Sequence, residues 1–446
     1  MDKNKDRVID ERIAKKIADI KSSRNVYEVG HVTWVKDFIV EVGVLEGAFY
    51  FERVNISDKA EGYVDSIGRS SVTVALTRIS KPVLVGDQVF TTGREFSVLY
   101  SEDSIGHVVD IFAEDKLNGL MMENIREMPI ETPPIPIIDR TPVRRPLLTG
   151  ITGIDLLYPI GRGQRQLIIG DKKIGKTQIA LDTIVNQKDK AVFCIYVAIG
   201  KTKKEVKELY SALFRMEAMK YTLILAAFND ELAPVLRYTP YAALSIAEDY
   251  MKTMGIDVLV VIDDLKRHAD VCREINLLSG KVPGRDAYPP DIFYTHSRLL
   301  EKGCQYKNGG SITILPICET KGGEIAEYIS TNIISITDGQ IVLSEQNFLK
   351  GQKPAIDYGL SVSRLGGSVQ EKRMKLRGAQ VRRELLSYLE SAKVFELANM
   401  DKMSPELQEK MRRGRSVQSL LRQYKFDVRN PEEILASFAE LYEVSL

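Results

Sequence analysis

The stretch LIIGDKKIGKTQIALDTI, residues 167–184, decides how the rest of the chain is read. An apolar run leads into a glycine-framed loop with three lysines, and an amphipathic run follows. Gly170, Asp171, Lys172, Lys173, Ile174, Gly175, Lys176 and Thr177 fit G-x-x-x-x-G-K-[ST] in full, and Gln178 follows in the helix behind them. A strand before such a loop and a helix after it bring backbone N–H groups and a helix N-terminus together on phosphate. There Lys176 neutralises the β- and γ-phosphates of ATP or the β-phosphate of ADP, and the Thr177 hydroxyl serves Mg2+. The plainer alternative is a Gly-Lys turn at a helix start, which leaves the strand and the full spacing unexplained.

A metal-holding acid belongs at the end of a later apolar strand. DVLVVIDD, residues 257–264, supplies Asp263 with Asp264 beside it; alternatively, both acids cap the next helix. Hydrolysis also needs a carboxylate or amide to orient or deprotonate the attacking water. The strand CIYVAIG, 194–200, is where that group is expected, and it runs instead into Lys201-Thr202-Lys203-Lys204. A lysine that keeps its proton cannot serve as a base. Lys201 either reaches a bound γ-phosphate or belongs to a solvated basic turn.

Outward from the loop, RQLIIG, KAVFCIYVAIG, YTLILAA, DVLVVIDD, SITILPICE and IISITDGQIVL alternate with helical stretches between residues 161 and 343. Strands this uniformly apolar are buried on both faces, as in a mainly parallel sheet covered by helices. Residues 27–93 change to short β-rich runs divided by Gly, Asp and Ser, which predicts a small β-barrel or sandwich. Residues 128–150 are dense in proline, so they form either an interdomain linker or a strap across the next domain. After residue 370 the chain reads as helical: Val381, Leu385, Tyr388 and Leu389 mark one apolar face, and NPEE at 430–433 offers a capping box. Val8, Ile9, Ile13, Ile17 and Ile20 predict a short amphipathic N-terminal helix that docks on a partner or frays. The expected fold is multidomain α/β, divided into an N-terminal arm at 1–26, a barrel at 27–93, a single nucleotide-binding domain with a mainly parallel sheet at 94–370 and a helical domain at 371–446.

At 446 residues, with 44% hydrophobic and 28% charged, the chain has the composition of an ordinary globular protein of about three domains. Lys+Arg 62 against Asp+Glu 61 excludes a whole-protein field that draws it to nucleic acid or membrane. Cys194, Cys272, Cys304 and Cys318 have no metal-ligand spacing and suit a reducing compartment. The charged N-terminus lacks a signal-peptide core, and no apolar run is long enough to span a bilayer. A cytoplasmic chain is expected, with any membrane contact made through partners.

Three long stretches, RRPLLTGITGIDLLYPIGRGQRQLIIGDKKIGKTQIALDTIVNQK (144–188), KVPGRDAYPPDIFYTHSRLLEKG (281–303) and YISTNIISITDGQIVLSEQNFLKGQKPAIDYGLSVSRLGGSVQ (328–370), closely resemble the α subunit of the F-type rotary ATP synthase. The resemblance runs from about residue 27 to about residue 390. It implies a β-barrel crown, a RecA-like nucleotide domain and a helical C-terminal domain. It also implies alternation with catalytic β-type subunits around a γ-type central stalk, a peripheral-stalk partner at the N-terminus, and a place at the cytoplasmic face of the membrane. Subunits of this kind bind Mg-ATP without turning it over, within a complex that hydrolyses or makes ATP.

Carried over by residue, the resemblance puts Gly175, Lys176 and Thr177 on phosphate and Mg2+, and Asp263 in the metal's shell. FLKGQKP, 348–354, flanks adenine with Phe348 and Lys353 nearest, and Gln423 in RQYKFDV takes the other side. Arg364, in LSVSRLGG, falls on the family's arginine finger, which acts in trans on the neighbouring subunit; an ordinary salt-bridged loop arginine is the alternative. This chain departs from the family at Lys173 and Ile174, where an amide and a threonine are usual, and at Lys201, where a glutamine is usual. It also ends soon after Gln423, so it reads as a shortened paralogue. Such derived F-type-like complexes occur among mycoplasmas, one of them tied to gliding.

Three rivals stand beside this reading. A self-sufficient ring of the flagellar or type III export class needs a catalytic glutamate near Lys201. An RNA-translocating hexamer needs aromatic platforms and basic grooves in its barrel; Trp34, Phe38, Phe51 and Tyr63 are present, without an aromatic-basic cluster. A purely structural subunit has no use for the intact Gly175, Lys176, Thr177 and Asp263.

Overall fold

The computed structural model describes residues 29–395 and 404–442, the side chains of 393–395 excepted. The predicted N-terminal arm lies outside the described residues.

Six antiparallel strands, β1 (Val29–Lys36), β2 (Ile39–Val42), β3 (Glu52–Ile56), β4 (Ala60–Ile67), β5 (Val72–Ile79) and β6 (Gln88–Glu95), close into a barrel in the order β1-β2-β5-β4-β3-β6. Closure pairs every edge, so the short strands leave no exposed ladder. The interior holds Val32, Val40, Val54, Ile56, Val64 and Val74, all nearly free of solvent. Phe51 and Tyr63 pack with Phe96 and with Tyr238 of the helix Ala233–Asp249, which fastens the barrel to the next domain through edge-to-face rings.

The central sheet carries its strands in the order Val362–Ser363, Gly339–Val342, Leu167–Asp171, Ser311–Thr320, Asp257–Asp263, Val192–Lys201, Thr222–Phe228, Val108–Val109. All neighbours on this path are parallel except Val362–Ser363, which is antiparallel at one edge. Successive residues of each strand enter opposite cores. Ile195, Val197, Val260 and Ile262 join one, while Tyr196, Ala198, Leu259 and Val261 join the other. Burial on both faces explains why these strands read as continuous apolar runs and do not alternate. Among the described residues no helix is long and apolar enough to cross a membrane.

The proline-rich segment is a strap rather than a free linker. Ile130 and Ile135 are buried, the Ser245 hydroxyl donates to the Ile130 carbonyl, and Arg140 donates to the carbonyl of Ile135 and to Glu301. Past residue 370, the helices Lys372–Phe395, Pro405–Leu420 and Pro431–Tyr442 bury Val381, Leu385, Tyr388, Val417 and Phe438 against the second face. The capping box forms as predicted: Asn430 N–H donates to Glu433 Oε2 at 2.8 Å, and Glu433 N–H to Asn430 Oδ1 at 2.9 Å.

Asp257, at the start of a central strand, gathers Arg145 (2.9 and 2.7 Å), Arg162 and the Ser311 hydroxyl (2.6 Å). Burial alone raises its pKa, but the hydrogen bonds from Arg145, Ser311 and Arg162 outweigh that and hold it below the ordinary aspartate value. Asp257→Ala strands these cations and is expected to cost about 2–4 kcal/mol, below the full buried-pair range because Arg145 is half-exposed. A depressed folded pKa means the stabilisation is complete above the unfolded value of about 4 and fades as pH falls. Unfolding midpoints of wild type and variant should therefore differ at neutral pH and converge in acid.

Candidate nucleotide site

The loop leaves the sheet at Asp171 and enters the helix Lys176–Val185, whose N-cap Gly175 sits at φ 109°, a conformation that favours glycine. Gly170 is required for another reason. A Cβ there would lie 2.8 Å from the Leu343 carbonyl oxygen and 2.7 Å from Ile174 Cδ1. Ile174 is buried and pins the loop to the core below, a job a threonine does less well in apolar surroundings. The first-turn N–H groups of this helix lack intrahelical partners and point at the loop's mouth.

Lys176 is buried, and its Nζ donates to the carbonyls of Gly170 (2.8 Å) and Asp171 (2.5 Å), which curls the loop over its own lysine. Burial lowers its pKa, against the raising influence of Glu319, Asp264 and Asp263. The Asp171 carboxylate faces away from the mouth and accepts from Thr320 Oγ1 (2.6 Å) and Gly323 N–H (2.9 Å), so it positions the loop from behind. Lys172 and Lys173 are exposed on the rim, and Lys173 lies at φ 64°. Gln178 donates to Asp182 Oδ1 at 2.7 Å; Asp182, which Phe426 N–H also contacts, is pushed up to about 6 by burial.

The two acids of DVLVVIDD have separate roles. Asp264 caps the helix Leu265–Leu278 by accepting from Arg267 N–H at 2.6 Å. Asp263 is 2% exposed and turns into the site. Its Oδ2 accepts from the Tyr196 hydroxyl (2.6 Å) and the Thr177 hydroxyl (3.1 Å), and its Oδ1 meets Lys201 Nζ at 2.8 Å. Lys201 is thus no solvated turn. Burial works against its charge, but Asp263 and Asp264 more than offset it and raise the pKa. The nearest carboxylate in the following turn, Glu205, is taken by a capping box with Thr202, whose hydrogen bonds hold its pKa low.

Two cavities flank the loop helix. One, about 380 Å3, lies between Thr177, Tyr196, Lys201, Glu205 and Phe426. The other, about 350 Å3, is lined by Lys173, Ile174, Phe348, Lys353, Gln423 and Tyr424, and its apolar walls suit a flat base. Gln423 borders it, but its amide is already used. Oε1 accepts from Thr152 N–H (2.8 Å) and Nε2 donates to the carbonyls of Gly150 (2.6 Å) and Asp427. Arg364 follows the edge strand and lies well away in the chain from the loop; its guanidinium is exposed and has no ion pair or hydrogen bond among the described residues. Tyr196, Glu205 and Asp171's partner Thr320 were not singled out by sequence. Each lies inside an apolar strand or a lysine run, where composition conceals it.

The residues therefore fit a nucleotide's phosphates and base. The metal position is different, because the carboxylate that would serve it already holds a cation. Gln423→Ala is expected to lower stability by about 1–3 kcal/mol through unpaired buried backbone groups, while the ATP-to-GTP affinity ratio stays unchanged. Thermal unfolding and competitive binding measure the two effects.

Residues 150–363 match the ATP synthase alpha/beta family, nucleotide-binding domain. The chain is 42% identical over 419 residues to the ATP synthase subunit alpha of Caldanaerobacter subterraneus subsp. tengcongensis, covering 93% of this chain and 82% of that one. It is 41% identical over 432 residues to that of Dictyoglomus turgidum, covering 96% and 84%. The alignment with the Pediococcus pentosaceus subunit is 42% identical over 416 residues, covering 92% and 81%. With barrel, parallel sheet, phosphate loop and helical end arranged as above, the chain belongs to the family of F-type ATP synthase alpha subunits.

Proposed function

We propose that this chain is the nucleotide-holding, non-hydrolysing member of an F-type ring, alternating with catalytic β-type subunits around a γ-type stalk. Residues 1–26 are the proposed contact for a peripheral stalk, and the assembly sits at the cytoplasmic face of the membrane. One observation carries the non-hydrolysing part. The strand end that should present a water-activating group presents Lys201, whose ammonium is committed to Asp263. Glu205, the adjacent carboxylate, is bound in a helix cap and kept a weak base.

In this reading Lys176 and the first-turn N–H groups bind the phosphates of ATP or ADP. Ile174, Phe348 and Lys353 enclose the base. Mg2+, which neutralises phosphate charge when present, would be held by the Thr177 hydroxyl and by the Asp263 carboxylate once Lys201 gives up Oδ1. Arg364, exposed and unpaired among the described residues, supports a role across a subunit boundary, since an arginine with a partner in its own chain is not free to reach a neighbour's site. Val44, Leu84 and Val85 stand out from the barrel surface and suit lateral packing in a crown.

The isolated chain should bind ATP or ADP with negligible turnover, and Lys176→Ala should abolish the binding. Turnover by the purified chain that disappears in Lys176→Ala would instead favour a self-sufficient ring. In the assembled complex, Arg364→Ala should reduce ATP turnover by about 10³–10⁵, the usual worth of a guanidinium supplied in trans. Nucleotide affinity of the isolated chain should stay within about twofold, because the arginine lies outside its own site. Arg364→Lys keeps the charge but loses the forked geometry, so it should also be impaired. Turnover within a few-fold of wild type in an intact complex assigns Arg364 a structural role.

A further inference from the structure

A buried carboxylate needs a counter-charge or several donors to stay ionised. Asp263 has both, and they arrive from this chain: the Tyr196 and Thr177 hydroxyls on Oδ2 and the Lys201 ammonium on Oδ1 at 2.8 Å. Phosphate loops of this pattern ordinarily meet that need with a divalent ion shared between the loop hydroxyl and the strand-end acid. Resting on the nucleotide-binding reading above, we infer that Lys201 does the electrostatic work of the divalent cation, so that this chain holds ADP without metal and Mg2+ must compete with Lys201 for Asp263.

Three features support this. Lys201 is the last residue of a ten-residue central strand, and Thr202 behind it is locked in a capping box, so the root of the side chain is fixed on both sides. The ammonium carries three donors, of which Asp263 uses one, leaving two for phosphate oxygens from the same spot. The Thr177 hydroxyl donates to Asp263, so to serve a metal it must turn a lone pair outward while Lys201 leaves Oδ1. Lys176 and Lys201 together then supply two positive charges to the polyphosphate, where a loop with a neutral group at position 201 relies on Lys176 and the ion. The displaced ammonium would also leave the combined field of Asp263, Asp264 and Glu205, which opposes its release.

The test is calorimetric titration of the full chain, stripped of nucleotide, with ADP in EDTA and with ADP in excess Mg2+. Wild type should bind ADP in both, with affinities within about threefold of each other. In Lys201→Gln, Mg2+ should tighten ADP by about 10–100-fold, the worth of one charge-assisted contact. Lys201→Arg, which keeps a cation, should resemble wild type more than Lys201→Gln does. A wild type that needs Mg2+ for a tenfold or greater gain overturns the inference while leaving the nucleotide reading standing. A folded wild type that binds ADP in neither condition overturns both. Should Lys201→Gln fail to fold by circular dichroism, the wild-type ratio alone decides.

Discussion

One negative charge, the carboxylate of Asp263, sits at the end of a strand buried on both faces, and the geometry of the whole site follows from how that charge is satisfied. It draws a hydroxyl from the phosphate-loop helix, a phenol from the next strand and an ammonium from that strand's end. Three elements distant in sequence are thereby tied at one point. Because the interior screens charge poorly, none of the three is easily released without another cation or donor taking its place.

The loop itself is held from two other directions. Asp171 anchors it to Thr320 at the end of the neighbouring strand and to Gly323 in the turn after it, and Ile174 plugs the core beneath it. The lysine that marks the motif is folded onto the loop's own carbonyls. A preformed ring of this kind reduces the ordering cost that a phosphate tail would otherwise bear on binding. Its rigidity also accounts for the departures from the family pattern: Lys173 sits on the exposed rim, where a charge costs little, and Ile174 lies where an apolar side chain adds burial.

The C-terminal helices contribute more than a lid on the second core. Through Gln423, whose amide bridges Gly150, Thr152 and Asp427, and through Phe426 N–H on Asp182, the connection between the last two of them fastens the segment before the loop and the loop helix to the C-terminal part of the chain. The base-side cavity is therefore walled by two domains. Its shape depends on both remaining packed.

The two-faced burial of the central strands, the full phosphate-loop spacing and the capping box at Asn430 were legible in the sequence, because each depends on residues within a few positions of one another and on local backbone geometry. The barrel's existence was legible too, although its closure through β1 and β6 was not, since strand order is a long-range property. Gln423 was read as a base-flanking residue on motif position, and a hydrogen bond across 271 residues of chain shows where its amide goes. Asp263 was picked over the chemically alike Asp264 by its place at the strand end, with helix capping by both as the alternative; the turn between strand and helix sends one into the site and the other to a helix cap. Lys201 had two readings by sequence, solvated turn or phosphate contact, and neither included its ion pair with Asp263, which removes the first. The chain's letters thus determined which elements form and which chemistry the loop can carry, whereas only tertiary structure decided which charge answers which, because pairing is settled by distance in space and by the low dielectric in which the groups meet.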